Sequence, residues 1–268
     1  VALRTALLTD LEIRDERDLR HLPLYARLKQ RLIDDRYPFA LAAADGDTED
    51  WARVLFLNLT YWRTSEGRDV LAEPALAADV VAHVAWHHTI GRALDDGTEP
   101  PSVDALVFAE AVASAFDVYL LGQVMGRTRR SGFADTAVPA ITEVALGAGL
   151  SEEEVDALFA SVVDDPEAAF ASLRALLFDV TTALVRCATA DDAVVVFDAV
   201  RDHPFMPVLH HYELSNWVLH ARVYGGAREP DPRVRALDAD LRASPHPLDW
   251  LERWCLGPPA AGGVPEID

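Results

Sequence analysis

Ser102–Gly126 reads SVDALVFAEAVASAFDVYLLGQVMG, and this stretch decides the fold class. Ser102 is a good helix N-cap, and the residues behind it leave almost no polar side. Phe108, Val112, Phe116, Tyr119 and Leu120 cover most of the circumference. A helix that is apolar nearly all round belongs among other helices. Its few polar residues, Glu110, Ser114 and Asp117, recur at i, i+4 and i+7 and so form one narrow stripe. Either the stripe is the solvent edge of the helix, or it faces a cavity, a cation or histidines, because an unpaired buried charge is too costly to keep.

Seven of the nine histidines fall in two other stretches. From Ala78 to Leu94, Asp79, His83 and His87 recur every four residues among Val80, Val81, Val84 and Trp86, and His88 follows. From His203 to Tyr224, HPFMPVLHHYELSNWVLHARVY reads as one helix. One side of it carries His210, Glu213, Asn216 with its neighbour Trp217, and His220. Of the adjacent pair, His210 is expected to face inward because it stands three residues from Glu213, which leaves His211 as a surface or interhelical residue. The two rows and the stripe nominate His83, His87, Glu110, Asp117, His210, Glu213 and His220 as catalytic groups. Asp79, Ser114, Asn216 and Trp217 are then expected against the substrate.

The segments around these are helical too. A helix from about Leu24 to Asp35 stops at Pro38. Thr48 caps Glu49–Trp62, a helix of large side chains in which Asn58 is either a link between helices or, with Tyr61, a pocket residue. Pro74 suits the first turn of the next helix. Arg127, Arg129 and Arg130 are a dense basic cluster. They either complement the negative end of the helix before them or anchor an anionic group on the substrate, with Arg127 nearest. Ser151-Glu-Glu-Glu154 is a capping box, and Asp165-Pro166 opens a further helix. The valines of Asp191–Arg201 would suit a strand, but the acids before them and the lack of any pairing strand favour a short helix. The expectation is one all-α domain over residues 1–257, a bundle of about eight to ten helices, with a disordered Pro/Gly/Ala tail at 258–268.

Composition narrows the functions. A net charge of −20 over 268 residues repels phosphodiester backbones and anionic lipid, so neither nucleic acid nor a membrane surface is an expected partner. A small molecule is. Trp250 and Trp254 on the last helix could serve a homo- or hetero-oligomeric interface. The first residues show no basic stretch followed by an apolar one, and a cytoplasmic location is expected. Cys187 and Cys255 stand alone, without the spacing of a zinc knuckle or disulfide framework. Lys29 is the one lysine, which makes Schiff-base, pyridoxal-phosphate or P-loop chemistry improbable. GxSxG, HExxH, GxGxxG and EF-hand patterns are absent.

Three classes of function stay open. In the first, imidazoles oriented by carboxylates act as general base and acid, without metal, in an elimination, cyclisation or isomerisation. The second comes from a resemblance. An all-α chain of this length with His and carboxylate residues on three apolar helices resembles the heme-oxygenase-like superfamily, which includes thiaminase-II-type proteins and non-haem diiron oxidases. That resemblance implies a role in natural-product metabolism and, for a diiron member, two Fe held by His83, His87, Glu110, Asp117, His210, Glu213 and His220. The gap of seven residues between Glu213 and His220 departs from the shorter one of the diiron members. In the third class the protein is a non-catalytic binding module with structural histidines.

Overall fold

The computed structural model describes residues 3–42, 69–71, 73–95, 97, 100–127 and 131–257. The expected helix Glu49–Trp62, with Asn58 and Tyr61, lies outside these residues, as do Arg129, Arg130 and the tail. The fold is an all-α bundle. In chain order its helices are α1 (Glu16–Leu19), α2 (Pro23–Asp34), α3 (Ala78–Leu94), α4 (Val103–Met125), α5 (Gly132–Gly147) and α6 (Glu152–Asp164). Then come α7 (Pro166–Arg186), α8 (Ala190–Ala199), α9 (Leu214–Tyr224), α10 (Pro232–Ala243) and α11 (Pro247–Leu256).

Caps set many of these boundaries. Ser102, Ser131, Ser151, Asp165, Thr189 and Asp231 each accept a hydrogen bond from a backbone N–H of the turn they open. Such a bond satisfies a donor that the helix cannot. The valine-rich α8 is a helix because Thr189 and Asp192 close a reciprocal capping box at its start.

Five short strands correct the expectation that nothing in the chain pairs. β1 (Leu3–Ala6) lies antiparallel to β3 (Phe39–Ala42), which is parallel to β4 (Val70–Leu71). β2 (Glu12–Arg14) is parallel to β5 (Ala75–Ala77). Pairs this short show no alternation in sequence. Pro74 consequently does not open a helix: its carbonyl accepts from the Glu12 N–H at 3.0 Å, and α3 begins after β5. Lys29 is also not free on its helix, since it pairs with Glu16 in a half-buried contact.

α4 is the central element. It packs most extensively on α7, then on α3, with α6, α5, α9 and α10 on its other sides. Both α4 and α7 are long and apolar enough to cross a membrane, but 72% and 67% of those stretches are buried against the rest of the fold. They are core helices by packing. Asp104, fully buried at the start of α4, accepts from Arg235 Nε at 2.7 Å and the Asp231 N–H at 3.1 Å, and pairs with Arg186. This ties α4 to α7 and α10.

At Gly122 the backbone of α4 approaches the α6–α7 junction directly. A Cβ there would stand 2.4 Å from the Val162 carbonyl oxygen and 3.0 Å from the Pro166 ring. Gly122→Ala is therefore expected to destabilise the protein by about 1–3 kcal/mol through overpacking, although alanine is the better helix former. Thermal denaturation measures this, and an unchanged Tm would mean that the junction yields freely.

Candidate functional site

The site is built where α3 and α4 face each other. Asp79, His83 and His87 stand on successive turns of α3, so their side chains stack on one face. The intervening Val81, Ala82, Val84, Ala85 and Trp86 are buried and hold the helix in place. Glu110, Ser114 and Asp117 form the facing stripe on α4. The stripe is not a solvent edge, because it meets the histidines. His83 lies level with Asp117 and His87 level with Glu110, so the two helices run antiparallel.

His83 Nδ1 is 3.0 Å from Asp117 Oδ2, and its Nε2 is 3.2 Å from His87 Nε2. His87 Nε2 is 3.1 Å from Glu110 Oε2, and His83 Nε2 is 3.7 Å from Glu110 Oε1. Ser114 Oγ donates to Glu110 Oε1 at 3.2 Å. The side chains of His83, His87, Glu110 and Asp117 are 28–35% exposed, so solvent reaches them. Asp117 Oδ1 is itself buried and has no hydrogen-bond partner among the described residues.

The electrostatics follow from crowding three carboxylates and two imidazoles together. Burial alone would depress His83, but the charge and hydrogen bond of Asp117, with Glu110 and Asp69 behind it, outweigh burial and raise it to about 9. Burial would raise Glu110, yet His87, His83 and Ser114 bring it down to about 2. For Asp117 burial prevails over His83, and the neighbouring Glu110 adds to it, so this carboxyl sits above its ordinary range. Asp79 is pushed up to about 6, first by burial and then by the Asp117 charge, against the N–H groups of its own helix start.

The second row does not join this array as expected. His203–Tyr224 is not one helix: Met206–Tyr212 is a 3-10 helix, and α9 starts afresh at Leu214. Between them Glu213 adopts a left-handed conformation, φ 46° and ψ 50°. The change from about 3.6 to 3.0 residues per turn, followed by that break, destroys the common face. His210, Glu213 and Asn216 are exposed, and Asn216 donates to Glu213 at 2.6 Å. His220 lies against Tyr224, ring centroids 4.9 Å apart and tilted by 41°.

His211, not His210, turns inward. It is half-buried, depressed by that burial, and near enough to Asp117 to feel its charge. Tyr212 lies beside it, centroids 5.2 Å apart, and its hydroxyl is pushed up by burial and by Asp117. Trp217 is half-buried with its ring 6.3 Å from that of Tyr212. His211 and Tyr212 are thus site neighbours that sequence reasoning missed. Only the one-residue offset within the HHY triplet could have shown them.

Two further corrections concern ligands. Arg127 is exposed and ten residues beyond Asp117 on α4 and its cap, roughly 15 Å along the axis at helical rise, so it anchors nothing at this array. The seven-residue set for two irons is not assembled either. Among the described residues, the set of His, Cys, Asp or Glu ligand atoms within 4.8 Å of one another is His83, His87 and Glu110. A recess of about 620 Å³ opens elsewhere, near Arg174, Arg242 and His246. There Arg242 is already held by Asp179 and Arg174 by Asp238, so structural ion pairs account for its charges. His88, next to His87, is likewise structural, since it bonds Asp35 at 2.8 Å and ties α3 to the end of α2. Comparison of the chain with protein-family models, curated proteins and solved structures returns no match.

Proposed function

We propose that this protein is a small-molecule enzyme and that the α3–α4 array performs proton transfer, in an elimination, cyclisation or isomerisation. One observation carries the reading: two imidazoles and two carboxylates from adjacent core helices converge, Asp79 stands one turn before His83 where the Asp117 charge reaches it, and Asp117 Oδ1 is unsatisfied among the described residues. Burying such a group of charges works against stability. Titratable groups perturbed by burial and by one another are a pointer to a reacting site.

Roles follow from charge. Asp79, ionising near pH 6, is the general base of the array; a base titrating close to neutrality combines availability with driving force. His83, held protonated by Asp117 and Glu110, is its positive pole, which stabilises negative charge developing on the substrate as the proton leaves. Asp117 orients His83, and Ser114 orients Glu110. His211 and Tyr212, within reach of the Asp117 charge, are the side chains assigned to selecting what enters.

The test works without an identified substrate. A small-molecule extract is incubated in D2O with the protein or with folded Glu110→Gln, and compared by mass spectrometry. Compounds that gain deuterium, or are consumed, only with the native protein support the proposal. Identical profiles from both proteins across chemically diverse extracts would refute it.

A further inference from the structure

His83, His87 and Glu110 bring their ligand atoms close to the separations of a coordination shell. His83 Nε2 is 3.2 Å from His87 Nε2, His87 Nε2 is 3.1 Å from Glu110 Oε2 and His83 Nε2 is 3.7 Å from Glu110 Oε1, and one ligand atom from each residue lies within 4.8 Å of the others. Imidazole nitrogens and carboxylate oxygens bind first-row divalent ions at roughly 2.0–2.2 Å. Two such bonds meeting at octahedral or tetrahedral angles put their donor atoms about 3.0–3.5 Å apart. The histidine pair can also be bridged by an ion in place of a proton. One proton at most can lie between two Nε2 atoms 3.2 Å apart, and a second would set two donors against each other.

The surroundings point the same way. His83 offers Nδ1 to Asp117 at 3.0 Å, the arrangement in which a carboxylate fixes the tautomer of a ligating imidazole and leaves Nε2 free for an ion. Ser114 restrains Glu110 in the same manner. All the ligands come from α3 and α4, two mutually packed helices, and rigid elements hold a coordination geometry better than loops do.

We infer that His83 Nε2, His87 Nε2 and Glu110 bind one first-row divalent transition ion, with Asp117 as the positioning residue for His83. Two nitrogens and one carboxylate select such an ion over Mg²⁺ or Ca²⁺, which prefer all-oxygen shells. Three protein ligands leave coordination positions open to substrate, as catalytic rather than structural sites do. The inference rests on the α3–α4 array being the functional site, and it supplies the positive pole from which the general base Asp79 works. It differs from a two-ion centre in needing none of His210, Glu213 or His220.

The experiment is a titration of the chelator-treated full-length chain with Co²⁺, read by its visible absorption, and with Zn²⁺, read by calorimetry. One ion per chain is expected. His83→Ala and His87→Ala should each weaken binding at least 100-fold, and so should the near-isosteric Glu110→Gln, whose fold is checked by circular dichroism. Asp117→Asn should retain the stoichiometry but weaken binding about 10–100-fold and alter the Co²⁺ spectrum, which a merely structural residue would not. His210→Ala, at an exposed histidine, should change nothing. Binding indifferent to His83→Ala, His87→Ala and Glu110→Gln, or no binding, overturns the inference. So does a stoichiometry of two ions. Deuterium exchange by chelated protein at the native rate would overturn the ion and leave the enzyme reading intact. One tightly bound ion without turnover of any compound would do the reverse.

Discussion

Asp238→Ala should destabilise the protein by about 3–5 kcal/mol, the cost of leaving a buried charge without its partner. Arg174, on α7, is 2% exposed and Asp238, on α10, is 7% exposed, and they form an ion pair across the helix interface. Burial already pushes the Arg174 guanidinium down, against the pull of Asp238. Its Nε has no hydrogen-bond partner, and the Phe108 ring centroid is 5.9 Å from its Cζ. Once the carboxylate is gone, the adjacent Arg242, which donates to Asp238 at 2.8 Å, cannot compensate the cation, because it carries the same sign. For a chain of this size the loss corresponds to a fall in Tm of about 6–20 °C. The pair itself need not add net stability, because desolvating both ions offsets most of their attraction. The double variant Arg174→Met, Asp238→Leu should therefore recover to within about 1–2 kcal/mol of the native protein. Chemical denaturation of the three proteins tests both statements. A single variant that loses less than about 1 kcal/mol would show that water solvates Arg174 in place of Asp238.

The helical architecture is legible in the sequence because several independent local signals agree. Ser102, Ser151 with Glu154, and Asp165-Pro166 announce helix starts, and the apolar circumference of 103–125 announces a central helix. Half of the candidate site is legible for the same reason. Periodicity puts Asp79, His83 and His87 on one face and Glu110, Ser114 and Asp117 on another. What periodicity cannot state is which faces meet, so the stripe on α4 keeps a solvent-edge reading until α3 is placed against it. The failure at His203–Tyr224 has a physical cause. Its break falls at Glu213, φ 46°, a conformation that ordinarily calls for Gly or Asn and that glutamate does not advertise. Val208, Leu209 and Leu214, on either side of it, are buried in the core. The 3-10 turns of Met206–Tyr212 and that break together leave His210 exposed and His211 half-buried. The strands escape notice because two to four residues are too few for a period of two to show.

Asp79→Asn should lower turnover by about 10²–10⁴-fold, the usual contribution of a general base, while making the folded protein more stable above pH 6. The two effects have one origin. Burial and the Asp117 charge raise the Asp79 carboxyl from 3.8 to about 6. Below about pH 4 that group is protonated in folded and unfolded chains alike, and it contributes nothing to the pH dependence of stability. Between about pH 4 and 6 the unfolded chain ionises first, so stability falls as pH rises. Above pH 6 the whole penalty is present, and the shift corresponds to roughly 3 kcal/mol before allowance for partial exposure. A gain of about 1–2 kcal/mol is thus expected for Asn at about pH 7.5. Asn can still accept from the N–H groups of positions 79 and 80 in the first turn of α3, so those hydrogen bonds are not what changes. The measurement is Tm against pH for both proteins after chelation, because a bound cation nearby would itself draw the proton from Asp79. The difference should be close to zero near about pH 4, open between about pH 4 and 6, and level off above. A variant less stable than the native protein at about pH 7.5 would mean that Asp79 is a structural carboxylate, and the base would then have to be sought at Asp117 or His211.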